Sequence, residues 1–342
     1  MCGLCSALLA SFLVPLFIRS PYHLDLLVIT IVHAVLAMTF VMLLRNGMIN
    51  LGIAAFWGTG AYISSVLVMK LHISFWLSLP ATALITGAIA LVLGYILIGS
   101  GSTGFSFVIL SSVIGMLFSV VIGNIDFLGG YNGISNVPPP DAVNLPFLDE
   151  IIFSHNNKVP FYYLALLLLL IIILVFWAFY TSRVGRAWTA VGLSPRLAES
   201  IGVNLFSYKL LAFALASATD GLIGSFFAHY AGFVTPGTFG MWVNIYIQIY
   251  AILGGIGYGI LGPLIGSFVM TLIPEIVRMT EVIAPLITGI LLILLILFLP
   301  QGILSLLNWR QSDWRRGIVK RISDTGKVLR DAFSNKQMGG KA

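Results

Sequence analysis

The segment TSRVGRAWTAVGLSPRLAESIGVNLFSY, residues 181–208, is a long basic interruption between two apolar runs in the middle of the chain. It contains Arg183, Arg186 and Arg196, and Lys209 follows it directly. Lys and Arg are enriched in the cytoplasmic loops of membrane proteins. Their density here predicts that this segment lies on the cytoplasmic side of a membrane and fixes the orientation of the apolar runs on either side.

The same segment carries the signals for one short helix. Ser194 is a favourable N-cap, Pro195 suits the first helical position, and Gly202 can adopt the left-handed conformation that ends a helix. These signals predict a capped helix over residues 195–201. Such a defined structure in a cytoplasmic loop indicates a surface on which another protein docks.

The composition is that of a polytopic membrane protein. Of the 342 residues, 59% are hydrophobic and 9% are charged, and the mean hydropathy is +1.03. Soluble domains carry about 25% charged residues. The net charge of +6 does not indicate nucleic acid, because nine of the 18 Lys and Arg residues lie in a basic tail, residues 304–342, after the last apolar run. There they suit anionic membrane lipid or a cytoplasmic anchor.

Ten apolar runs approach or reach the length of about 20 residues that a transmembrane helix needs. With both termini cytoplasmic, 14 of the 18 basic residues fall on the cytoplasmic side, as the positive-inside rule requires. We therefore predict an all-α transmembrane domain over residues 1–303, with about ten helices, some of them short or broken. The predicted spans are 3–18, 24–44, 50–69, 75–98, 104–123, 160–180, 209–229, 243–257, 260–279 and 282–299.

Ten spans divide into two halves of five, and an odd number of spans gives the halves opposite orientations, which is compatible with an inverted repeat. The third and eighth spans hold matching places in the two halves, and glycine interrupts both. In inverted repeats, broken helices meet near the membrane midplane and line the path of the substrate. The glycines of these spans are therefore candidates for the translocation path: Gly52, Gly58, Gly60, Gly254, Gly255 and Gly257.

The longest predicted external loop covers residues 124–160. Its density of Gly, Asn and Pro in LGGYNGISNVPPPD predicts irregular structure. Long loops of this kind are often functional. Two interpretations remain open for it, a contact with an external partner or substrate mouth and a solvated loop without a role.

Two polar residues lie in or near the predicted span 209–229. Asp220 stands near its middle, where a carboxylate costs about 2.5–3.5 kcal/mol on insertion scales. It is either part of the translocation path or a neutral acid that hydrogen-bonds another helix. Small residues surround it in KLLAFALASATDGLIGSFFAHY, which favours the second role slightly. We place His229, in AHYAGF, in an aromatic belt at the outer membrane interface.

The sequence carries no signal for chemistry of its own. GSGSTG, residues 99–104, is rich in glycine but lacks the lysine of a phosphate-binding loop, so we expect no ATP hydrolysis by this chain and no bound cofactor. Cys2 and Cys5 have no further ligand nearby, and we predict no metal site. A membrane-embedded enzyme using Asp220 and Glu275 is disfavoured, because these residues lie at different depths without a nucleophile and base. If transport is active, its energy comes from another subunit.

Five segments closely resemble the LivM-type permease subunit of branched-chain amino acid ABC importers. They occur in the family's order and cover most of residues 25–307. The segments are NGMINLGIAAFWGTGAY (46–62), GGYNGISNVPPP (129–140), the run from GRAWTAVGLSPRLAESIG to AGFVTPGTFG (185–240), AILGGIGYGILGPLIGS (251–267) and FLPQGI (298–303).

The resemblance implies a multi-span helical pore in the plasma (inner) membrane of a bacterium or archaeon. It implies partners: a homologous LivH-type permease, two cytoplasmic ATPases that bind ATP and Mg²⁺, and a periplasmic or extracellular solute-binding protein. Residues 181–208 would be the coupling segment that seats on the ATPase, and Ala198 with Gly202 match the A-x-x-x-G core of the coupling motif. We expect docking through apolar side chains, oriented by charged neighbours. The predicted coupling residues are Arg183, Arg186, Leu193, Pro195, Arg196, Leu197, Glu199, Ile201 and Gly202.

The sequence also departs from the family pattern. Where the family reads G-Q-x-S-L-G-H-A-A-F, Met48, Asn50 and Ile53 replace three polar side chains. Asn50 is therefore a further candidate for the translocation path. The replacements also make related amino acids, besides leucine, isoleucine and valine, possible substrates. Urea or a short amide is the nearest alternative substrate, and a carrier that works without an ATPase is a more distant one. Asp220 replaces a residue that is usually small and apolar.

Overall fold

The computed structural model describes residues 20–99, 104–145, 148–155, 157–277, 289, 293 and 302–308. The described chain is mainly helical, with a few short strands in the connections. The helices are α1 (Pro21–Arg45), α2 (Ile53–Met69), α3 (Phe75–Gly99), α4 (Phe105–Gly123), α5 (Val159–Thr181), α6 (Arg183–Leu193), α7 (Pro195–Ser200), α8 (Leu205–Ala231), α9 (Met241–Gly254) and α10 (Leu261–Val277).

Eight of the ten predicted spans coincide with helices. Among the described residues, α1, α3, α4, α5 and α8 are long and apolar enough to cross a membrane, whereas α2, α9 and α10 are shorter apolar helices. The predicted span 3–18 lies outside the described residues, as does 282–299 apart from Gly289 and Ile293, and the basic tail lies outside them after residue 308. The total number of spans and the inverted repeat stay predictions.

The long helices define two ends of the bundle. At one end, which we call the α6–α7 end, α1 and α5 finish, α8 begins, and the backbones of Gly192 and Arg45 meet. At the opposite end, which we call the strand end, α8 finishes and α1 begins. There Tyr230 donates a hydrogen bond to Asp25, which also pairs with Lys158 at 3.6 Å. Helix α8 therefore runs from one end to the other.

The connection between α4 and α5 was predicted to be irregular, and this prediction is wrong in part. It contains two turns of 3₁₀ helix (Asp126–Leu128 and Gly130–Asn132) and the strands β1 (Ile134–Ser135), β2 (Val143–Leu145) and β3 (Leu148–Ile151). β2 pairs with β3, and β1 pairs antiparallel with β4 (Phe233–Val234), which follows α8. The glycines that suggested disorder instead supply positive φ angles in tight turns, as at Gly129 with φ of 82°. Because β1 pairs with β4, the connection between α4 and α5 is attached to the residues that follow α8.

Glycine contacts hold α2 and α8 together in the core. A Cβ atom added to Gly60 would lie 2.1 Å from the carbonyl oxygen of Gly221, and one added to Gly224 would lie 2.1 Å from that of Trp57. These distances leave no room for a side chain between the two backbones. Small residues permit such close approach of membrane helices, and the dispersion contacts that result replace the hydrophobic effect as the packing force.

Glycine also breaks the chain between α9 and α10, at the end of the eighth predicted span, 243–257. Helix α9 ends at Gly254, and Gly255 follows with φ of 106° before the 3₁₀ turn Ile256–Tyr258. A Cβ atom at Gly254 would lie 1.7 Å from the carbonyl oxygen of Gly262. The two short helices therefore pack tightly back to back as a hairpin.

Candidate functional site

The surface at the α6–α7 end carries three exposed apolar side chains. Leu193 is 83% exposed, Leu197 69% and Ile201 76%. Leu193 ends α6, Leu197 lies in α7, and Ile201 is the residue that caps α7. Three neighbouring large apolar side chains that face outward from a short, defined helix indicate a surface that another protein covers. We call these three residues the apolar triplet.

The charged residues predicted for this segment are exposed on the same two helices as the apolar triplet. Arg183, Arg186, Arg196 and Glu199 are all exposed, as is Pro195. A polar rim around an apolar centre is the usual arrangement of a protein interface. The predicted short helix is confirmed within one residue at its end, with Ser194 as N-cap, Pro195 at its first position and Gly202 at φ of 85°.

Helix α6 was not predicted, because residues 183–193 were interpreted as loop. The helix starts where the Ser182 side chain accepts a hydrogen bond from the Gly185 backbone N–H at 3.4 Å. Its buried residues include Trp188 and Val191. With the half-buried Val184, they recur at spacings of four and three, which is the signature of an amphipathic helix. The basic residues between them obscured this pattern.

Side chains of α6 anchor the whole segment to the membrane helices. Trp188 is buried, stacks on Phe179 with 5.7 Å between ring centroids, and donates a hydrogen bond from Nε1 to the Tyr208 carbonyl at 2.9 Å. Asn46, which follows α1, donates to the same carbonyl at 3.4 Å. A force on α7 would therefore reach α1 and α8 directly.

Two predicted path glycines, Gly58 and Gly60, lie in contacts between helices. Gly60 meets the backbone of α8, and a Cβ atom at Gly58 would lie 2.5 Å from the Phe118 ring and 2.7 Å from that of Phe239. Of the glycines in the hairpin, Gly254 and Gly255 are buried, whereas Gly257 is exposed and has no atom within 4 Å of an added Cβ. Their role in a path stays a prediction.

Asp220 is fully buried and bonds α1. Its Oδ1 lies 2.7 Å from Thr39 Oγ1, which also lies 2.7 Å from the Leu36 carbonyl oxygen. One hydroxyl proton cannot serve two acceptors. A protonated Asp220 solves this conflict, because its O–H donates to Thr39 and Thr39 donates to Leu36. Within the described ranges no Lys or Arg pairs with Asp220, so the geometry favours the neutral acid.

Replacing Asp220 by asparagine is therefore expected to preserve folding and function, because an amide N–H can replace the acid proton as donor to Thr39. The yield of monodisperse protein and the rate of substrate uptake should stay within about twofold of wild type, since the hydrogen bond is conserved. Replacing Asp220 by leucine removes the bond and serves as the contrast. An Asn variant that folds normally but transports nothing would show that the carboxyl group acts in transport.

His229 was predicted to lie in an aromatic belt, and this prediction is wrong. The side chain is fully buried, and Nδ1 lies 2.6 Å from the Pro138 carbonyl oxygen, so this nitrogen carries the proton. Nε2 lies 3.0 Å from Ser64 Oγ, which in turn accepts from Ser225 at 2.8 Å. This chain of hydrogen bonds joins α2, α8 and the connection between α4 and α5.

The first turn of α2 is held by side chains from other segments. Gly52 is its N-cap residue, and a Cβ atom there would lie 2.9 Å from the Ser111 carbonyl oxygen. Asn50 Oδ1 accepts from the Gly52 N–H at 2.9 Å, and Asn244 Oδ1 of α9 accepts from the Ala54 N–H at 2.8 Å. Asn244 was not singled out in the sequence, because only the fold brings it to α2. Two predicted path residues, Asn50 and Gly52, thus meet at the start of a short helix.

A family model described as the permease component of the branched-chain amino acid transport system matches residues 22–300. The chain belongs to this permease family. Two relatives named high-affinity branched-chain amino acid transport system permease protein LivM, from Salmonella typhimurium strain LT2 and Escherichia coli strain K12, are each 26% identical over 307 residues. Each alignment covers 85% of this chain and 72% of the relative. No solved structure matches the chain at the same level of significance.

The permease is thus a multi-pass membrane protein, and its relatives are named as transport subunits. The resemblance seen in the sequence is confirmed by the family match. In the part of the permease that the structure describes, no group of three His, Cys, Asp or Glu side chains is placed to hold a metal ion. The described part of the permease thus presents the exposed apolar triplet and a set of buried, hydrogen-bonded polar side chains.

Proposed function

We propose that this permease is a membrane subunit of an ATP-driven ABC importer for branched-chain or related amino acids. The observation that carries the proposal is the apolar triplet, which is exposed on a short helix anchored to α1 and α8. Such a surface suits a cytoplasmic ATPase. The proposal also rests on the family match and on the names of the two relatives.

The permease would make four kinds of contact in the importer. The permease would pair with a homologous LivH-type permease, bind two ATPases through α6 and α7, receive substrate from a periplasmic or extracellular solute-binding protein, and sit in anionic lipid. ATP and Mg²⁺ would be bound by the ATPases. The α6–α7 end and both termini would face the cytoplasm of a bacterium or archaeon, and the strand end would face outward, in accord with the positive-inside rule.

The mechanism follows from the anchoring of α6. When ATP closes the two ATPases, they would displace α7, and α7 would carry α6 with it because only Ser194 separates the two helices. Trp188 and Asn46 both bond the carbonyl of Tyr208, so the motion would reach α1 and α8. Rigid-body rocking of the two permeases would then switch access to the path between the two sides of the membrane.

Reconstitution tests this function. The permease, its partner permease and both ATPases are placed in liposomes, and uptake of radiolabelled leucine is measured with the binding protein outside and ATP inside. We expect uptake that requires both ATP and the binding protein. Accumulation of leucine without the ATPases would contradict the proposal, and uptake of urea or acetamide in place of leucine would assign the permease to the alternative substrate class.

A further inference from the structure

Five buried nitrogen atoms, carried by α1, α2, α9 and the residues just before α2, have no hydrogen-bond partner among the described residues. Four belong to N–H donors, and the fifth is a ring nitrogen of an imidazole. Buried polar groups in proteins are nearly always hydrogen-bonded, so a cluster of unpartnered donors is unusual and indicates a site for an acceptor. The atoms are Asn50 Nδ2, Trp57 Nε1, Asn244 Nδ2, Gln248 Nε2 and His33 Nδ1.

The two asparagines place their amide groups at the N-terminus of α2. Asn50 is 0% exposed and Asn244 is 1% exposed. Their Oδ1 atoms accept from the N–H groups of Gly52 and Ala54, so the Nδ2 atoms, bonded to the same carbons, lie beside the first helical turn. Both side chains are therefore fixed, and each keeps an amide nitrogen for a further bond.

The remaining groups lie one helical turn away or on the facing helices. Trp57 follows Ala54 by three residues, so the two share one face of α2. Gln248 follows Asn244 by four residues, so these two share one face of α9. The His33 ring of α1 lies 6.5 Å from Trp57 and 5.3 Å from Tyr250 between centroids. The helices α1, α2 and α9 thus contact one another around the rings of His33, Trp57 and Tyr250.

The electrostatics of this region favour an anion. The N-terminus of a helix carries the equivalent of roughly half a positive charge, and α2 has 17 residues. The five atoms of this group comprise four N–H donors and one imidazole nitrogen; the unpartnered oxygens of the described residues belong to other side chains, Asn46, Thr82, Thr86, Ser217, Asp220 and Ser267. A carboxylate has acceptors only, whereas urea and amides also bring donors.

We propose that Asn50, Trp57, Asn244 and Gln248, which we call the donor cluster, bind the α-carboxylate of the transported amino acid at the N-terminus of α2. The inference rests on the proposed importer function and adds the place in the path where the acid group is recognised. Residues outside the donor cluster would contact the apolar side chain of the amino acid.

Two isosteric substitutions test the donor cluster. Asn50→Asp and Asn244→Asp keep the Oδ1 acceptor for the α2 backbone and replace the amide donor by an anionic oxygen. In the reconstituted importer each variant should lower leucine uptake at least about tenfold, because the new aspartate carboxylate would repel the carboxylate of the substrate. The amount of ATPase that co-purifies with each variant should equal that of wild type, because the α6–α7 surface is unchanged, and it serves as the measure of correct folding and assembly.

A neutral pair of variants covers the case in which an added charge prevents folding. Trp57→Phe removes one donor and keeps an aromatic ring, and it should raise the leucine concentration for half-maximal uptake by about threefold to tenfold, as loss of one hydrogen bond predicts. Trp76→Phe is the matched control, since that indole lies at the strand end and donates to the Asp141 carbonyl at 3.1 Å. Its uptake should equal that of wild type.

The outcomes separate the two proposals. A wild-type complex that shows no ATP-driven uptake of any amino acid overturns the proposed function. A wild-type complex that imports leucine, together with Asp variants that fold and import it at the wild-type rate, overturns the carboxylate site alone. If the Asp variants do not fold, an unchanged half-maximal concentration in Trp57→Phe overturns it.

Discussion

Replacing Leu197 by glutamate is expected to abolish ATP-driven uptake while leaving the permease folded in the membrane. Leu197 lies in the apolar triplet, 69% exposed, so the new charge meets water in the isolated chain and disturbs no packing. In the importer it would have to be buried against the ATPase. Loss of a central apolar contact costs about 2 kcal/mol or more, which weakens ATPase binding at least ~30-fold.

The measurement is the amount of ATPase that co-purifies with the permease, followed by leucine uptake in liposomes. Leu197→Met is the control, because it keeps an apolar side chain of similar volume and should retain both properties. Wild-type ATPase retention and uptake in Leu197→Glu would remove the apolar triplet from the docking surface.

Replacing Gly60 by alanine is expected to prevent or severely weaken folding, although it adds one methyl group. That methyl carbon would lie 2.1 Å from the carbonyl oxygen of Gly221. The oxygen is a backbone atom of α8, and the methyl carbon is bonded directly to the backbone of α2. Neither atom can therefore move away by rotation of a side chain. Overpacking in a core costs about 1–3 kcal/mol and occasionally more, and backbone contact places Gly60→Ala at or above about 3 kcal/mol.

The yield of monodisperse protein and the midpoint of thermal unfolding in detergent test this expectation. Gly237→Ala is the matched control, because an added Cβ there has nothing within 4 Å, and it should unfold like wild type. A Gly60→Ala variant with the wild-type midpoint would show that α2 and α8 are farther apart than the structure has them.

The membrane helices and α7 could be predicted from the sequence because their signals are local. Apolar length alone locates a membrane helix, since every backbone group in lipid must be bonded within the helix. Ser194, Pro195 and Gly202 each act within a single turn, so their effect on α7 needs no knowledge of the fold. The exposure of Leu193, Leu197 and Ile201 follows from the same local order.

The structures that were missed depend on contacts between distant parts of the chain. Trp188 makes α6 a buried amphipathic helix only because Tyr208 and Phe179 lie beside it. His229 leaves the predicted interface because Pro138, 91 residues earlier, offers a carbonyl. Asn244 accepts a hydrogen bond from the N–H of Ala54 in α2, which lies 190 residues earlier in the chain. No local pattern encodes such partners, so the polar interior could not be assembled from the sequence, although Asn50 and Gly52 were found as single candidates.

The glycine contact between α2 and α8 also sets the geometry of any tilt of α8. Gly221 lies 16 residues from the start of this helix and 10 from its end, which is about 24 Å and 15 Å at 1.5 Å per residue. If α8 tilts about its contact at Gly221, the parts of the helix on either side of Gly221 move in opposite directions. A displacement of about 2 Å at the Leu205 end would move the Ala231 end by roughly 1.3 Å in the opposite direction, so the two ends of α8 would not move toward the same neighbour.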